Sequence, residues 1–157
     1  MLLTLAALAS SAVLAQDAAE HRYGNWLVRC PDDSSGRCFL SQTVLMQGSG
    51  QRMFEVGIGF LADGSTPTMV LTAPLGIYLP YGLRLQVDST EPRRVLIERC
   101  NSDGCHTEIA LSPTFLRQLK RGMSMFVVFG DAAGQRFRFP VSLQGLTAGM
   151  KRLQAGG

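Results

Sequence analysis

Trp26-Leu27-Val28-Arg29-Cys30, followed by Cys38-Phe39-Leu40-Ser41-Gln42-Thr43-Val44, is the stretch on which the fold turns. Trp26, Val28 and Cys30 fall on one face of an extended chain, and Cys38, Leu40, Gln42 and Val44 continue the alternation. A period of two marks a half-buried strand. Between the two runs, residues 31–36 are rich in Asp, Ser and Gly, which favour turns. The stretch therefore reads as a β-hairpin with a disulfide near its closed end. The chain has four cysteines, and the second pair, Cys100 and Cys105, encloses Asn101-Ser102-Asp103-Gly104. These residues tolerate turn geometry, so Cys100–Cys105 is expected to staple a four-residue hairpin loop. Four cysteines allow three connectivities, of which the local one, Cys30–Cys38 and Cys100–Cys105, is expected. Each small loop would contribute roughly 2–3 kcal/mol by restricting the unfolded chain. Zinc is the competing use of four cysteines. Paired ligands in structural zinc sites are usually about two to four residues apart, and Cys30 and Cys38 are too widely spaced for that.

Working outward, period two persists through most of the sequence. Phe54, Val56, Ile58 and Phe60 line one strand face, with Gly57 and Gly59 on the other; Met69 and Leu71 begin a short strand that Pro74 ends. Leu83, Leu85 and Val87 alternate with Arg84, Gln86 and Asp88, a strand with one wet face. Val95 and Ile97 lead as one run toward Cys100, and Thr107, Ile109 and Leu111 lead away from Cys105. Residues 123–129 are apolar on both faces, as in a central strand. Phe137, Phe139 and Val141 alternate with Arg136, Arg138 and Pro140. Because Pro140 cannot donate to a ladder, this strand is expected at a sheet edge or to pair irregularly there. Ser112 as N-cap and Pro113 at the first position open a helix carrying Phe115, Leu116 and Leu119, with Gly122 as its stop. Arg117, Lys120 and Arg121 near its end suit the helix dipole. A weaker helix spans about 146–153, with Gly149 counting against it. Eight or nine short strands with one or two short helices make a mainly β protein, a β-sandwich.

Residues 1–15 are uncharged and almost wholly apolar or small, and too short to span a bilayer. Val13-Leu14-Ala15 suits a signal peptidase, so residues 1–15 read as a signal peptide cleaved after Ala15, leaving 16–157 as a single domain. No Lys or Arg precedes the apolar run, so the amino terminus, or residues upstream of Met1, would supply the positive charge. Past the leader no long apolar stretch recurs, so the mature chain has no expected transmembrane segment. The net charge of +3 comes from 15 basic and 12 acidic side chains. The basic residues are dispersed rather than gathered in a dense stripe, which argues against nucleic acid.

The order of the landmarks resembles the invasion-associated locus B family of exported proteobacterial proteins. The matching pieces are Trp26 to Cys30, Cys38 to Gln42, Pro74-Leu75-Gly76-Ile77-Tyr78-Leu79 with Gly82 and Val87-Asp88, Cys100 to Cys105, and Pro140-Val141-Ser142-Leu143-Gln144-Gly145-Leu146. Together they cover nearly all of the mature chain. The resemblance implies an immunoglobulin-like β-sandwich, export across the inner membrane and, in some pathogens, a link to host-cell entry. It carries over no catalytic residues.

The chemistry available is sparse. Only His21 and His106 could serve as near-neutral acid–base groups. His21 lies in a segment expected to be mobile, and His106 shares a strand face with Glu108. No G-x-S-x-G elbow, H-E-x-x-H helix, Gly-rich phosphate loop or C-x-x-C occurs. Asp32-Asp33 and Asp63-Gly64 sit in turns without the spacing of a calcium loop. No enzyme activity, metal or cofactor is therefore expected. Trp26 is expected in the core. Pro74-Leu75-Gly76-Ile77-Tyr78-Leu79-Pro80-Tyr81-Gly82 is the most suggestive segment. It reads as an inter-sheet crossover whose Tyr78 and Tyr81 would offer contact area at low entropic cost if exposed. Tyr78, Tyr81, Arg136 and Arg138 are the candidate partner contacts, by surface or edge-strand recognition. The partner would be an unidentified protein or envelope component, in the periplasm, secreted or at the outer membrane. A structural role in envelope integrity, unconnected with invasion, is the alternative. The leader reading makes a direct prediction: N-terminal sequencing of the exported protein should begin at Gln16. An exported protein that still begins at Met1 would overturn it.

Overall fold

The computed structural model describes residues 21–30, 37–60 and 66–156. The candidate signal peptide and the two acidic turns, Asp32-Asp33 and Asp63-Gly64, lie outside them. Eleven strands and two α-helices are present among the described residues. In chain order the strands are β1 (Arg22–Tyr23), β2 (Trp26–Arg29), β3 (Phe39–Leu45), β4 (Arg52–Phe60), β5 (Pro67–Ala73), β6 (Leu83–Val87), β7 (Arg93–Val95), β8 (Arg99–Asn101) and β9 (Gly104–Ala110). Helix α1 (Pro113–Arg121), strands β10 (Ser124–Gly130) and β11 (Arg136–Ser142), and helix α2 (Leu146–Gly156) follow. All pairings are antiparallel and form two sheets, ordered β1-β2-β3-β4-β5-β9-β8 and β11-β10-β6-β7. The protein is a β-sandwich.

Alternation decides which side chains fill it. Leu40, Val56, Ile58, Met69 and Leu71 from the seven-stranded sheet meet Leu83, Leu85, Met125, Val127 and Val141 from the four-stranded sheet, all essentially inaccessible. Each such side chain contributes roughly 1.5–3 kcal/mol by leaving water. Phe54 on β4 meets Phe139 on β11 edge to face, with ring centroids 5.9 Å apart, and Phe139 stacks on Phe129 at 5.7 Å. Trp26 is fully buried in this core, as expected, and its indole Nε1 has no hydrogen-bond partner.

The sheets also meet through one polar contact. Gln42 faces the core from β3, and its Nε2 donates to the Ser142 carbonyl at 2.9 Å while its Oε1 accepts from the Ser142 amide at 3.0 Å. The side-chain amide thus acts as one more strand residue along β11. Asp88 does similar work where β6 ends: its carboxylate accepts from the Met123 and Ser124 amides at 2.9–3.2 Å.

Both disulfides form with the local pairing, Cys30–Cys38 and Cys100–Cys105. The second hairpin is tighter than expected. Asn101 pairs with Gly104, so the turn is the two residues Ser102 and Asp103 rather than four. Two other expectations are corrected. The run from Val95 toward Cys100 is not one strand: β7 pairs with β6 in one sheet and β8 with β9 in the other. The chain therefore changes sheets across residues 96–98. His21 is held rather than loose, since its carbonyl accepts from the Val28 amide at 2.8 Å beside the β1–β2 hairpin.

The helices close the sandwich. Ser112 caps α1 through Phe115, and Phe115 and Leu119 are buried. Gly122 ends this helix with an ordinary negative φ of −74°. Its small size, not left-handed geometry, is what matters, because a Cβ there would stand 2.6 Å from Val87 Cγ1. Gly149 has the same explanation inside α2, where a Cβ would lie 2.7 and 2.8 Å from the two methyl groups of Leu40. The glycine that lowers helix propensity is what lets α2 settle on β3.

This contact predicts a sign reversal. Gly149→Ala should destabilise the protein by about 1–2 kcal/mol, overpacking outweighing the better helix propensity. In a Leu40→Ala background, itself costing about 2–5 kcal/mol, the same change should become neutral or stabilising. Urea unfolding of the four proteins checks it; additive effects would refute the contact.

Candidate functional site

The four-stranded sheet turns its inner face to the core and its outer face to solvent, and the outer face collects arginines that are scattered in sequence. Strand register places Arg138 opposite Val128, Val128 opposite Arg84, and Arg84 opposite Arg94. One cross-strand row through all four strands therefore carries three arginines. Arg136 lies two residues from Arg138 on β11, opposite Gly130. None of β6, β7, β10, β11 or residues 74–82 contains an Asp or Glu. The ion pairs recorded among the described residues, Arg52–Glu55 and Arg99–Glu108, lie elsewhere. Asp131, in the β10–β11 turn, accepts from the Gln135 amide at 2.8 Å within its own turn.

Aromatic rings organise the guanidinium groups. Tyr81 sits between Arg84 and Arg136, whose guanidinium carbons are 5.1 and 5.4 Å from its ring centroid. Arg138 lies on Phe126 at 3.3 Å. Arg94 instead donates to the carbonyls of Pro80 and Tyr81. Such stacking holds each group by its face and leaves its N–H edge for a ligand.

The crossover from β5 to β6 completes the site. Its backbone is tied down at several points. The Tyr78 amide donates to the Gly130 carbonyl at 2.8 Å, Ile77 bridges Asp131, and residues Leu79–Tyr81 form a 3₁₀ turn. Tyr78 is 48% exposed, as is Leu79, and Leu75 is 58% exposed. The structure thus brings Tyr81 and Arg136 together, sets Arg138 two residues along β11 and leaves Tyr78 exposed on the crossover. Arg84, Arg94 and Phe126 were missed. The available signal was alternation in residues 83–87, which marks Arg84 as outward; nothing local reveals that its cross-strand neighbour is another arginine.

Edge recognition is less well provided for. β11 is an edge strand, as expected. Gln42 occupies the outward amide and carbonyl of Ser142. By alternation the outward groups of β11 belong to residues 142, 140, 138 and 136, and Pro140 has no N–H. A protected edge of this kind resists added strands.

The four cysteines are engaged in disulfides and staple the seven-stranded sheet, remote in topology from this face. His106 is tethered at both ring nitrogens, Nδ1 to Thr72 Oγ1 at 3.1 Å and Nε2 to Asn101 Oδ1 at 2.9 Å. Asn101 Oδ1 also accepts from the Asp103 amide, which fixes that oxygen as an acceptor and puts a proton on Nε2. On the outer face of the other sheet, Gly57 and Gly59 floor a groove of about 410 Å³ walled by Phe39, Phe60 and Val70. No group of three or more His, Cys, Asp or Glu side chains able to hold a metal occurs among the described residues. No helix among them is long and apolar enough to cross a membrane.

Two neighbouring substitutions test whether the arginine row serves the fold. Arg84→Thr should change stability by less than about 1 kcal/mol, because relief of the opposed Arg94 charge offsets the lost stacking on Tyr81. Leu85→Ala, one residue along and facing the core, should cost about 2–5 kcal/mol. Chemical denaturation of both would show it; a large loss with Arg84→Thr would make the row a structural feature.

Comparison with known proteins agrees with this architecture. No curated protein matches the chain. Among solved structures, the crystal structure of invasion associated protein B from Bartonella henselae is similar, with a TM-score of 0.76 at 24% sequence identity. The match covers 87% of this chain and 96% of that one, and at this identity it speaks for the fold. The family described as invasion associated locus B (IalB) protein matches residues 26–154, which takes in both sheets from β2 onward, both disulfides and nearly all of α2. The chain therefore belongs to the invasion-associated locus B family.

Proposed function

We propose that this protein is exported and non-enzymatic, and that it binds a component of the cell envelope through the outer face of the four-stranded sheet. The carrying observation is Arg84 set directly opposite Arg94 on strands that carry no carboxylate. Like charges opposed across strands cost stability, a cost that an anionic ligand would relieve. The stacking of Arg84 and Arg136 on Tyr81 supports this, since it orients the groups before any partner arrives. Two disulfides in short loops favour an oxidising compartment. The non-enzymatic reading is supported by the tethering of His106 between Thr72 and Asn101. The Bartonella protein is named for invasion. Host-cell contact is one setting in which such a face could work, and a purely structural role in the envelope is another. A deletion strain sensitive to detergent but unaltered in host contact would select the second.

Photo-crosslinking in living cells separates this face from the rest. Crosslinkers at Tyr78, Tyr81 or Arg138 should capture a reproducible envelope component, and one at Thr43, exposed on the other sheet, should not. Equal capture from Thr43, or none from the three positions, would remove the assignment.

A further inference from the structure

We infer that the ligand of this face is the surface of an anionic phospholipid bilayer, bound peripherally by the residue 74–82 loop and the arginines around it. The inference rests on the reading of the outer face as a recognition surface and names what it recognises.

Two properties coincide at one end of the four-stranded sheet. The first is charge of one sign, from Arg84, Arg94, Arg136 and Arg138, with no acid on the elements that carry them. Guanidinium groups match phosphate oxygens through two parallel N–H bonds, and phosphates tile an anionic membrane continuously. The second is apolar exposure that burial in the fold does not relieve. Leu75, Tyr78 and Leu79 stand out on the crossover at 58%, 48% and 48% exposure. Leu96, 59% exposed, follows Val95, which pairs with Leu83 where the crossover enters β6. Both leucine-bearing segments thus lead to the same end of the sheet.

The arginines surround this apolar loop. Arg94 holds the Pro80 and Tyr81 carbonyls, and Arg84 and Arg136 flank the Tyr81 ring. Leucines that reach the acyl boundary, a tyrosine at headgroup level and arginines at the phosphates are the layers of an interfacial anchor. An acidic protein segment would satisfy the charge but gives no reason for leucines to project from a loop pinned by Pro74, Pro80 and the Tyr78–Gly130 hydrogen bond. Pinning matters, because a loop already fixed loses little entropy on insertion.

The test is co-sedimentation of the oxidised protein, recovered from the periplasm, with vesicles of phosphatidylcholine alone or mixed with phosphatidylglycerol. Binding should require phosphatidylglycerol and fall steeply with salt. Arg84→Gln with Arg138→Gln should weaken it about 25-fold, at roughly fivefold per arginine. Tyr78→Ser with Leu79→Ser should weaken it by about tenfold or more while keeping the salt dependence. Both pairs are on the surface, and unchanged urea midpoints would confirm that folding is intact. Binding to phosphatidylcholine alone as strong as to the mixture would overturn the inference, as would indifference to the loop pair, which would reduce the face to a simple anion site. Absent vesicle binding with a protein captured from Tyr81 or Arg138 in cells would overturn the lipid assignment and leave the recognition face standing. Failure of both experiments would take down the two readings together.

Discussion

One glutamine side chain joins the two sheets. Gln42 offers the Ser142 backbone both a donor and an acceptor across a separation of 100 residues. Hydrophobic contact alone lets two sheets slide or rotate, because it is nearly non-directional. A paired amide contact has one satisfied geometry, and its two part-buried hydrogen bonds contribute about 0.5–1.5 kcal/mol each. It therefore fixes how β11 lies against β3, and through β11 the position of β10 and the arginine row. The Phe54–Phe139 contact, from the neighbouring β4 to β11, acts at the same seam.

Close approach at the helices rests on the same economy of space. α2 reaches β3 only because position 149 has no side chain, and the end of α1 reaches Val87 only because position 122 has none. Leu146, Met150 and Leu153 of α2 are buried as a result, beside the fully buried Trp26. The helices thus seal the core while both outer sheet faces remain available to solvent. On one of these the chain has placed glycines and a shallow groove, and on the other arginines and rings. The contrast in chemistry is what singles out the second.

Much of this was legible in the sequence because alternation is a local signal. Trp26, Leu40, Val56, Ile58, Leu83 and Leu85 announce their faces within a few residues, and the cysteine spacings imply their pairing. Pro140 pointed to an edge position or irregular pairing for β11, and the edge is what forms. What escaped depends on partners far along the chain. The change of sheet across residues 96–98 depends on which distant strands β7 and β8 pair with, which local periodicity does not carry. Gly149 argued against a helix by propensity and proves to be required by packing. Tyr81 and Arg136 could be nominated singly, but the row of Arg138, Arg84 and Arg94 exists only once register is known.

The local connectivity of the disulfides has a consequence for biogenesis. Each bond spans a sequence separation of only 8 or 5 residues, and neither touches the four-stranded sheet. A chain that emerges amino end first can therefore oxidise each pair as it appears, before the next cysteines arrive. No thiol has to wait for a distant mate, so demand for an isomerase to reshuffle wrong pairs is low. The last strands to emerge, β10 and β11, complete the cysteine-free sheet against a partner already covalently fastened. Oxidation and the assembly of the arginine face are thereby separated in time, and a late error in the second cannot scramble the first.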